Sequence, residues 1–468
     1  MIIDPDDADF GFLTAERESN LTLRKLFKKA PAGIMKLKRC IILSPSTASV
    51  LFRPEEYENF DVVIIDEASQ LKPVSIIPVL FRAKQCVIVG DEWQMPNIEH
   101  FKVKKAVAGD ETEAIENSAL TVALKNNRFD VEELICHYRS KTESLIAFSQ
   151  KKFYPKMKTF PSPVPIKEGL GFRDIYVENA STKDGVNITE ASVVHKCLKE
   201  HFDKYYDDET GVLSQSVGVV AFGESQIKCI LSLVEHDSEL KDKIDRARAV
   251  FGDVPEKLLF FKTIETVQGQ ETAHLILSLT YGKDAYGDTK QSFGQLNNKE
   301  LGQCIFNVAV TRAQSSVTVV HSVHAYEIVN DNISFIRDYL SVAEKFGKSG
   351  KGQFVSADPG KGFLADVAKF VVSTGISSDR VVLNYGVTDG SVRIPVAILS
   401  EDKSCALMGI WCEIPTEKQY NYLDYNIRHF ESLEVCGWKL FRLYIQDWYD
   451  NRESAEDKIR NELKKYVK

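Results

Sequence analysis

The apolar run at residues 62–65, Val-Val-Ile-Ile, contains no polar position that would alternate with its hydrophobic side chains. Such a run predicts a β-strand buried on both faces, as in a parallel sheet covered by helices. Asp66 and Glu67 follow directly and are expected at the carboxyl edge of that sheet, where open α/β sheets bind ligands. An acid at this edge can hold Mg²⁺ through water, and its neighbour can orient an attacking water. The alternative is that Asp66 or Ser69 simply caps the next helix.

A second run of the same kind, residues 87–89 (Val-Ile-Val), predicts a neighbouring strand. Gly90, Asp91 and Gln94 follow it in the pattern Gly-Asp-x-x-Gln-x-Pro. Because the carboxyl ends of parallel strands meet at one edge of a sheet, these residues are expected near the first acidic pair. Two such loops in succession favour a ligand site over helix capping alone.

Strands and helices are predicted to alternate along most of the chain, which indicates an α/β fold. Helices are predicted at residues 21–37, 363–372 and 420–435 and at the charged carboxyl terminus, and strands at residues 40–43, 217–222, 275–279, 381–383, 392–399, 406–412 and 437–443.

Composition indicates an ordinary soluble protein with room for two to four domains, since 44% of the 468 residues are apolar and 27% are charged. Nine cysteines without a Cys-x-x-Cys pair argue against a zinc or disulfide framework and fit a reducing compartment. No apolar run has the length of a membrane span and no signal peptide is evident, so a cytoplasmic location without a membrane partner is expected.

The net charge of −8 gives no overall basic signature, so any contact with nucleic acid requires a local patch. Residues 21–40 provide one, because this stretch holds seven lysines and arginines and no acid. A solvated helix face explains the same stretch equally well.

The Asp-Glu-Ala-Ser segment at residues 66–69 and the Gly-Asp-x-x-Gln segment at residues 90–94 resemble motifs II and III of superfamily-1 helicases. The resemblance implies that ATP and Mg²⁺ are the cofactors. It implies that Asp66 holds Mg²⁺, that Glu67 activates water and that Gln94 senses the γ-phosphate. Gly90 and Asp91 would then lie beside the nucleotide.

Two arginine-containing segments resemble later motifs of the same family. Residues 137–140, His-Tyr-Arg-Ser, are similar to motif IV, and the resemblance implies that Arg139 reaches the γ-phosphate. Residues 307–313 are similar to motif VI, which makes Arg312 the expected arginine finger. For any single arginine, a surface ion pair is the alternative.

Residues 262–271 resemble motif V, between the two arginine segments. The resemblance implies that Gln268, Gly269 and Glu271 belong to the nucleotide side of the site, with Gly269 allowing close backbone approach. It also implies that Thr266 contacts nucleic acid.

The hydroxyl-rich loop at residues 44–47 is the second expected contact with nucleic acid. Ser44, Ser46 and Thr47 could bind phosphate through hydroxyl and backbone groups, although a helix cap is equally consistent with them. The family resemblance implies that the protein moves along single-stranded DNA.

The phosphate-binding loop of such ATPases, Gly-x-x-x-x-Gly-Lys-Thr/Ser, is not found ahead of residue 66. Residues 347–349 read Gly-Lys-Ser, but Val342 stands where the first glycine belongs and no strand precedes it. We therefore expect an incomplete first lobe. Its missing half would come from a partner subunit carrying this Walker A loop or from upstream sequence, unless the lobe has been rebuilt.

Residues 363–468 resemble a small endonuclease domain related to very-short-patch-repair nucleases, through the segments at 437–442 and 447–449. Most of the acids that would hold its metal are replaced. Leu364 stands in place of a glutamate, Pro395 in place of an aspartate, and Trp411 with Glu413 in place of Glu-x-Asp. We expect this domain to bind DNA or a partner and not to cut.

These patterns together predict an α/β protein with two RecA-like parallel-sheet lobes, the first incomplete, and a small α/β endonuclease-like domain. The expected divisions are residues 1–115 and 116–344 for the lobes, 345–362 for a linker, and 363–468 for the degenerate nuclease domain. The expected function is part of a superfamily-1 DNA helicase or translocase, with a catalytically silent scaffold or nucleic-acid-binding subunit of a defence or repair complex as the alternative.

Overall fold

The computed structural model describes residues 22–29, 33–35, 38–52, 60–96, 118–137, 139–163, 170–252, 254–284, 287–349, 362–386, 391–413 and 427–467. The chain divides into two compact units, Met1–Glu132 and Glu133–Lys468. Within the described ranges, no helix is long and apolar enough to cross a membrane.

The first unit is built around a pair of parallel strands. Its elements are α1 (Leu23–Lys29), α2 (Pro45–Leu51), β1 (Phe60–Ile65), α3 (Pro73–Leu80), β2 (Ala83–Ile88) and α4 (Ala119–Leu124). The strands pair in register with Ile64 opposite Val87, so both predicted strands at the acidic loops are confirmed.

The described residues cover one face of the first unit's sheet, and they cover the other face only at Phe60, which packs against Phe52. Ile65 packs with Ile76 of α3 and Leu120 of α4 in a small core. On the other face Ile64 is 68% exposed and Val87 is 47% exposed. The prediction that β1 is buried on both faces is therefore wrong here, because helices α3 and α4 lie on the same side.

The predicted strand at residues 40–43 is not formed. These residues have no ladder partner within the described part of the chain, and Ile42 is 92% exposed. A strand needs a neighbouring strand to pair its backbone hydrogen-bonding groups, and an apolar sequence alone does not supply that neighbour. The predicted helix at 21–37 is helical at α1 and at residues 33–35, and its remaining positions lie outside the described residues.

The second unit begins with a five-stranded, wholly parallel sheet in the order β3-β7-β6-β4-β5. Its elements are α5 (Glu143–Lys152), β3 (Gly171–Tyr176), α6 (Ile188–Tyr205), β4 (Val217–Ala221), α7 (Glu224–His236), α8 (Ser238–Phe251), β5 (Leu259–Thr263), β6 (Thr272–Ser278), α9 (Lys299–Val310), β7 (Ala313–His321) and α10 (Ser334–Ser349).

The central strands of this sheet are buried on both faces, as their unbroken apolar sequences predict. Every residue of β4 is buried. A side chain at Gly218 would meet the ring of Phe260 on the neighbouring strand, where an added Cβ would lie 2.2 Å from a ring carbon. Helix α10 continues to Ser349, so the first residues of the predicted linker are helical, and residues 350–361 lie outside the described ranges.

A second sheet follows, mixed in direction, with strand order β11-β10-β9-β8. Its elements are α11 (Phe363–Ser373), β8 (Val381–Tyr385), β9 (Ile394–Leu399), β10 (Ala406–Glu413), α12 (His429–Val435), β11 (Leu440–Tyr444), α13 (Ile445–Asp450) and α14 (Arg452–Tyr466). Helices α11 and α14 help to form the core on one face, and Leu433 of α12 joins the core on the other. The prediction of an α/β fold with parallel sheets is confirmed, and the second sheet of this unit is separate and mixed.

Candidate active site

The acidic pair follows β1 in a strained turn. Asp66 and Glu67 are both exposed. Glu67 has φ 52° and ψ 40°, the left-handed region that non-glycine residues rarely adopt. An Asp66 carboxylate oxygen accepts the backbone N–H of Glu67 at 2.9 Å, and Gln70 donates to Oε2 of Glu67 at 2.9 Å. Strain of this kind is concentrated at functional sites, which motivates a functional hypothesis for the turn.

The loop after β2 lies against the acidic turn. Val89 donates to the carbonyl of Ile65 at 2.8 Å, and Ala68 donates to the carbonyl of Val89 at 2.9 Å. A Cβ on Gly90 would approach the backbone nitrogen of Ser69 to 3.2 Å, so a larger residue would crowd this close packing. The carboxyl edge of the sheet therefore brings together the two segments that resemble motifs II and III.

Asp91 organises the rest of that loop. One carboxylate oxygen accepts the backbone N–H of Trp93 at 2.9 Å, and the other accepts from the side chain of Gln94 at 3.4 Å. Gln94, the predicted γ-phosphate sensor, is thus held by Asp91 within its own loop.

The hydroxyl loop at residues 44–47 forms the start of α2. Ser44 is the N-cap and its hydroxyl accepts the backbone N–H of Thr47 at 3.2 Å. It also lies 2.8 Å from the hydroxyl of Thr47 and 3.1 Å from that of Ser46. The capping interpretation is confirmed, and all three residues remain exposed.

In the second unit, three segments distant in sequence meet at the amino ends of β6 and β7. Arg139 forms an ion pair with Glu271 at 2.9 Å. Gln314 donates to the other carboxylate oxygen of Glu271 at 3.2 Å, and its carbonyl accepts the backbone N–H of Lys141 at 2.7 Å. The segments that resemble motifs IV and V are therefore in direct contact, and Gln314, which directly follows the segment that resembles motif VI, contacts Glu271 and Lys141.

Arg312 precedes β7 and is held by main-chain carbonyls. Its Nε donates to Val308 at 2.8 Å, and its Nη1 donates to Gln270 at 3.3 Å. Only 5% of this residue is exposed. An arginine finger must reach a phosphate oxygen, so this side chain would have to leave these carbonyls first.

The segment that resembles motif V contains a polar atom without a partner. Nε2 of Gln268 is buried and has no hydrogen-bond partner among the described residues. Gly269 has φ +78°, and a Cβ there would meet nothing within 4 Å, so its glycine is explained by backbone conformation and not by crowding. Thr266 closes the turn after β5, where its hydroxyl accepts the backbone N–H of Thr263 at 3.1 Å.

His137 supports the loop that carries Arg139. Its Nε2 accepts the backbone N–H of Ser140 at 3.0 Å, which requires that nitrogen to be unprotonated. Burial, followed by the charge of Arg139, lowers the pKa of His137 to about 4. The imidazole is therefore neutral at physiological pH. Tyr138 of the same predicted motif lies outside the described residues.

The positions compared with nuclease acids are buried or packed against the core of the C-terminal domain. Trp411 is fully buried and packs edge-on to Phe430, with ring centroids 6.3 Å apart. Pro395 is buried within β9, and Leu364 packs against the same domain core. Glu413 is 3% exposed on its side chain and lies 3.7 Å from Arg442. Nowhere in the described ranges do three or more His, Cys, Asp or Glu side chains form a group that could hold a metal ion.

Gln270 and Gln314 are the contacts that the sequence reasoning missed. Each lies close to a predicted site residue, Gln270 beside Gly269 and Gln314 two positions after Arg312. Their closeness in sequence to predicted site residues was a signal, but glutamine is common on protein surfaces. Only the folded sheet brings Gln270 to Arg312 and Gln314 to Glu271.

Comparison with known proteins gives two family matches, both described as an AAA domain. One covers residues 23–99 and the other covers residues 115–324. The acidic turn lies in the first match, and the arginine contacts lie in the second.

The chain is also similar to curated helicases. It is 30% identical over 463 residues to the uncharacterized ATP-dependent helicase MG140 of Mycoplasma genitalium, covering 94% of this chain and 39% of that protein. It is 24% identical over 285 residues to Helicase SEN1 of Saccharomyces cerevisiae, covering 56% of this chain and 11% of that protein. The chain thus spans about two-fifths of the length of its Mycoplasma relative.

Among solved structures, the chain matches the C-terminal domain of a possible DNA helicase from Lactobacillus plantarum with a TM-score of 0.24 and 9% identity, over 43% of this chain and 96% of that domain. The chain is thus similar to AAA domains over two stretches and to curated helicases over more than half of its length.

Proposed function

We propose that this chain is part of a superfamily-1 DNA helicase or translocase that couples hydrolysis of Mg²⁺-ATP to movement on single-stranded DNA. The observation that carries the proposal is the meeting of Arg139 and Gln314 at the Glu271 carboxylate, at the amino ends of β6 and β7. Residues 139, 271 and 314 are far apart in sequence. Each belongs to, or adjoins, a segment similar to a different helicase motif.

The residues present fit ATP and Mg²⁺ in two respects. Asp66 and Glu67 are exposed carboxylates, the oxygen ligands that Mg²⁺ prefers. The unpartnered Nε2 of Gln268 is a buried donor that a ligand oxygen could satisfy. In this proposal Asp66 holds the ion, Glu67 orients the attacking water, and Gln94 with Arg139 detects the γ-phosphate. ATP supplies the transferred phosphoryl group when bound.

The remaining site residues have assigned roles in the same proposal. Arg312 neutralises developing negative charge once released from its carbonyl partners. Gly90, Asp91, Gly269 and Glu271 hold the loops that face the nucleotide. Ser44, Ser46, Thr47 and Thr266 contact the nucleic-acid backbone, a role that their exposure permits.

A phosphate-binding loop completes the proposed ATP site. It would come from a partner polypeptide or from upstream sequence. The exposed apolar face of β1 and β2 supports this view, because parallel sheets ordinarily have both faces covered.

The C-terminal α/β domain is proposed to bind DNA or a partner without cutting. A nuclease needs acids that hold a metal ion at an accessible site. Trp411 instead fills the core, and Glu413 is buried beside Arg442.

The test is ATP hydrolysis measured with and without single-stranded DNA. The chain is assayed alone and together with any polypeptide encoded beside it that carries Gly-x-x-x-x-Gly-Lys-Thr. We expect DNA-stimulated turnover in the completed assembly, and a loss of roughly a hundredfold or more in Glu67→Gln. Glu132→Gln changes an exposed glutamate of the same unit and should leave turnover unchanged. Equal rates in wild type and Glu67→Gln would refute the proposal.

A catalytically silent scaffold is the second candidate, and the burial of Arg312 favours it. An arginine held by two carbonyls stabilises its own unit whether or not ATP is hydrolysed. This candidate predicts DNA binding without turnover in every combination.

A further inference from the structure

A short segment of the second unit joins the parallel sheet region to the C-terminal domain. We name residues 158–163 the strap. On one side, Lys158 accepts the backbone N–H of His137 at 2.9 Å, next to the loop that holds Arg139. On the other side, Thr159 accepts the backbone N–H of Val392 at 2.8 Å, and Pro163 accepts that of Ala406 at 2.6 Å. The strap therefore forms hydrogen bonds both next to the loop that carries Arg139 and with the C-terminal domain.

Two large side chains of the C-terminal domain also donate to the strap. Trp438, 2% exposed, donates its indole N–H to the carbonyl of Pro161 at 2.6 Å. Tyr385, fully buried, donates its hydroxyl to the carbonyl of Ser162 at 3.3 Å. The two rings pack edge-on with centroids 5.2 Å apart. Proline has no backbone N–H, so the strap presents mainly acceptors and the domain supplies the donors.

A buried glutamate reinforces the same junction. Glu143 is the first residue of α5 and only 4% exposed. Its Oε1 accepts hydroxyl hydrogen bonds from Thr159 of the strap and from Ser391 of the C-terminal domain. Its charge adds to burial in raising the pKa of the Cys436 thiol. A carboxylate in such a position is stable only while donors satisfy it.

Helix α5 connects the hydrogen bonds of Glu143 to the loop that carries Arg139, which we call the arginine loop. Glu143 lies four positions after Arg139. Phe148 of α5 packs on Phe306 of α9 and Tyr339 of α10, with centroids 5.9 and 5.3 Å apart. The backbone N–H of Lys141, between Arg139 and Glu143, donates to Gln314 beyond Arg312. The loop that carries Arg139 is therefore fixed in two ways. Glu143 connects it to the C-terminal domain, and the Lys141 hydrogen bond connects it to β7.

We propose that the C-terminal domain sets the position of Arg139 through Ser391 and Glu143, with Glu143 as the positioning residue. The relevance to ATP rests on the proposed function, but the coupling itself is a property of the fold. A ligand that shifts the C-terminal domain would change the order of the arginine loop. The domain would then act as a regulator of that loop.

Amide hydrogen exchange on the full chain tests the coupling without ATP. The amides of Ser140 and Lys141 are hydrogen-bonded, so their protection reports the order of the loop. In Ser391→Ala, we expect exchange at residues 139–145 to rise by roughly tenfold, the factor expected for one lost hydrogen bond to a charged group. Ser391→Thr keeps a hydroxyl and should restore protection. In Glu143→Gln, which keeps the shape and loses the charge, we expect an intermediate rise.

Ser400→Ala is the matched control. Ser400 lies at the other end of β9, and its hydroxyl bonds within the C-terminal domain, to Asp402 and Cys405. This change should leave residues 139–145 protected. If Ser391→Ala loosens residues 391–393 while residues 139–145 exchange as in wild type, the domain docks without positioning Arg139 and the inference is wrong.

The outcome is separable from that of the proposed function. A chain that never hydrolyses ATP but shows the exchange pattern retains the inference and loses the helicase proposal. A chain with DNA-stimulated turnover and no change at residues 139–145 in Ser391→Ala retains the helicase proposal and loses the inference.

Discussion

Glu67 combines an exposed carboxylate with a left-handed backbone, and these two properties have opposite effects on the protein. The backbone conformation costs about 1 kcal/mol for a residue with a side chain. The carboxylate is the group that the proposed chemistry requires. A residue that is unfavourable for folding and suited to chemistry is the pattern expected of a functional position.

Glu67→Gly should therefore stabilise the first unit while abolishing DNA-stimulated ATP turnover. We expect the free energy of unfolding to rise by up to about 1 kcal/mol, because glycine adopts positive φ without strain. Chemical denaturation followed by circular dichroism measures the change. Asn179→Gly, at another exposed positive-φ position, should leave turnover intact. A marked destabilisation by Glu67→Gly would contradict the strain argument.

His137 should make the stability of the second unit depend on pH. Its pKa of about 4 in the folded chain lies below the ordinary 6.5, so the folded state resists protonation. This contribution is fully present above pH 6.5 and is lost as the pH falls from 6.5 towards 4. At about 1.4 kcal/mol per pKa unit, the 1.5 units between pH 6.5 and pH 5 should make the free energy of unfolding about 2 kcal/mol lower at pH 5 than at pH 7 from this residue.

Comparison of wild type with His137→Gln isolates the effect of His137, because glutamine can accept the Ser140 N–H at every pH. Urea unfolding at several pH values should show a shallower loss on acidification in the variant. His236→Gln, at an exposed histidine at the end of α7, should retain the wild-type slope. Parallel curves for wild type and His137→Gln would show that His137 does not titrate as argued.

At the scale of elements, α6 begins in a fully buried polar network. Asn187 caps the helix by accepting the backbone N–H of Glu190 at 3.0 Å. Glu190 accepts from the Ser278 hydroxyl and the Thr280 backbone, each at 2.8 Å, and from the Ser322 hydroxyl at 2.7 Å. Burial raises the pKa of Glu190 in spite of these donors. One side chain thus ties α6 to the ends of β6 and β7.

Glu190→Ala should lower the free energy of unfolding of the second unit by about 3 kcal/mol, because it leaves several buried donors without an acceptor. Thermal or urea unfolding measures the loss. The matched control is Glu200→Ala on the same helix. Glu200 forms a half-exposed ion pair with Arg173 at 2.8 Å, and its loss should cost less than about 1 kcal/mol. Equal effects of the two substitutions would contradict the assigned role of the network.

Strands inside the five-stranded sheet could be predicted from the sequence. The absence of a strand at residues 40–43 and the exposed face of β1 could not. Residues 217–222 and 275–279 form strands because their apolar runs have partners on both sides. Residues 40–43 have an equally apolar sequence and no partner within the described ranges, so no strand forms. The predicted burial of Ile64 was also wrong, because the exposure of a side chain depends on what packs over its strand and not only on the sequence of that strand.

The candidate site was predictable in its parts but not in its contacts. The acidic turn and the Gly90 loop follow from adjacency of parallel strands, which local sequence reveals. The pairing of Arg139 with Glu271 joins residues more than a hundred positions apart. Nothing local encodes that distance, and the buried position of Arg312 is equally a product of packing.

At the scale of the whole molecule, the parallel sheet and the C-terminal domain belong to one compact unit, Glu133–Lys468. The strap and Glu143 supply hydrogen bonds between them. A fragment of residues 133–468 should therefore fold by itself and unfold in a single transition, since cooperative units follow buried contacts.

Calorimetry of that fragment measures the number of transitions. A shorter fragment, residues 133–361, should melt at a lower temperature, because removal of the domain leaves the strap without its Trp438 and Tyr385 donors. Two separate transitions in residues 133–468 would contradict one cooperative unit.

The uncovered face of β1 and β2 also bears on how the protein behaves at high concentration. Valine and isoleucine side chains in extended backbone, open to solvent, are the surfaces through which chains aggregate. Preparations should lose material on concentration or warming before the second unit melts. Replacing Ile64 with threonine, which keeps the β-branched shape and adds a hydroxyl, should improve the recovery of soluble protein.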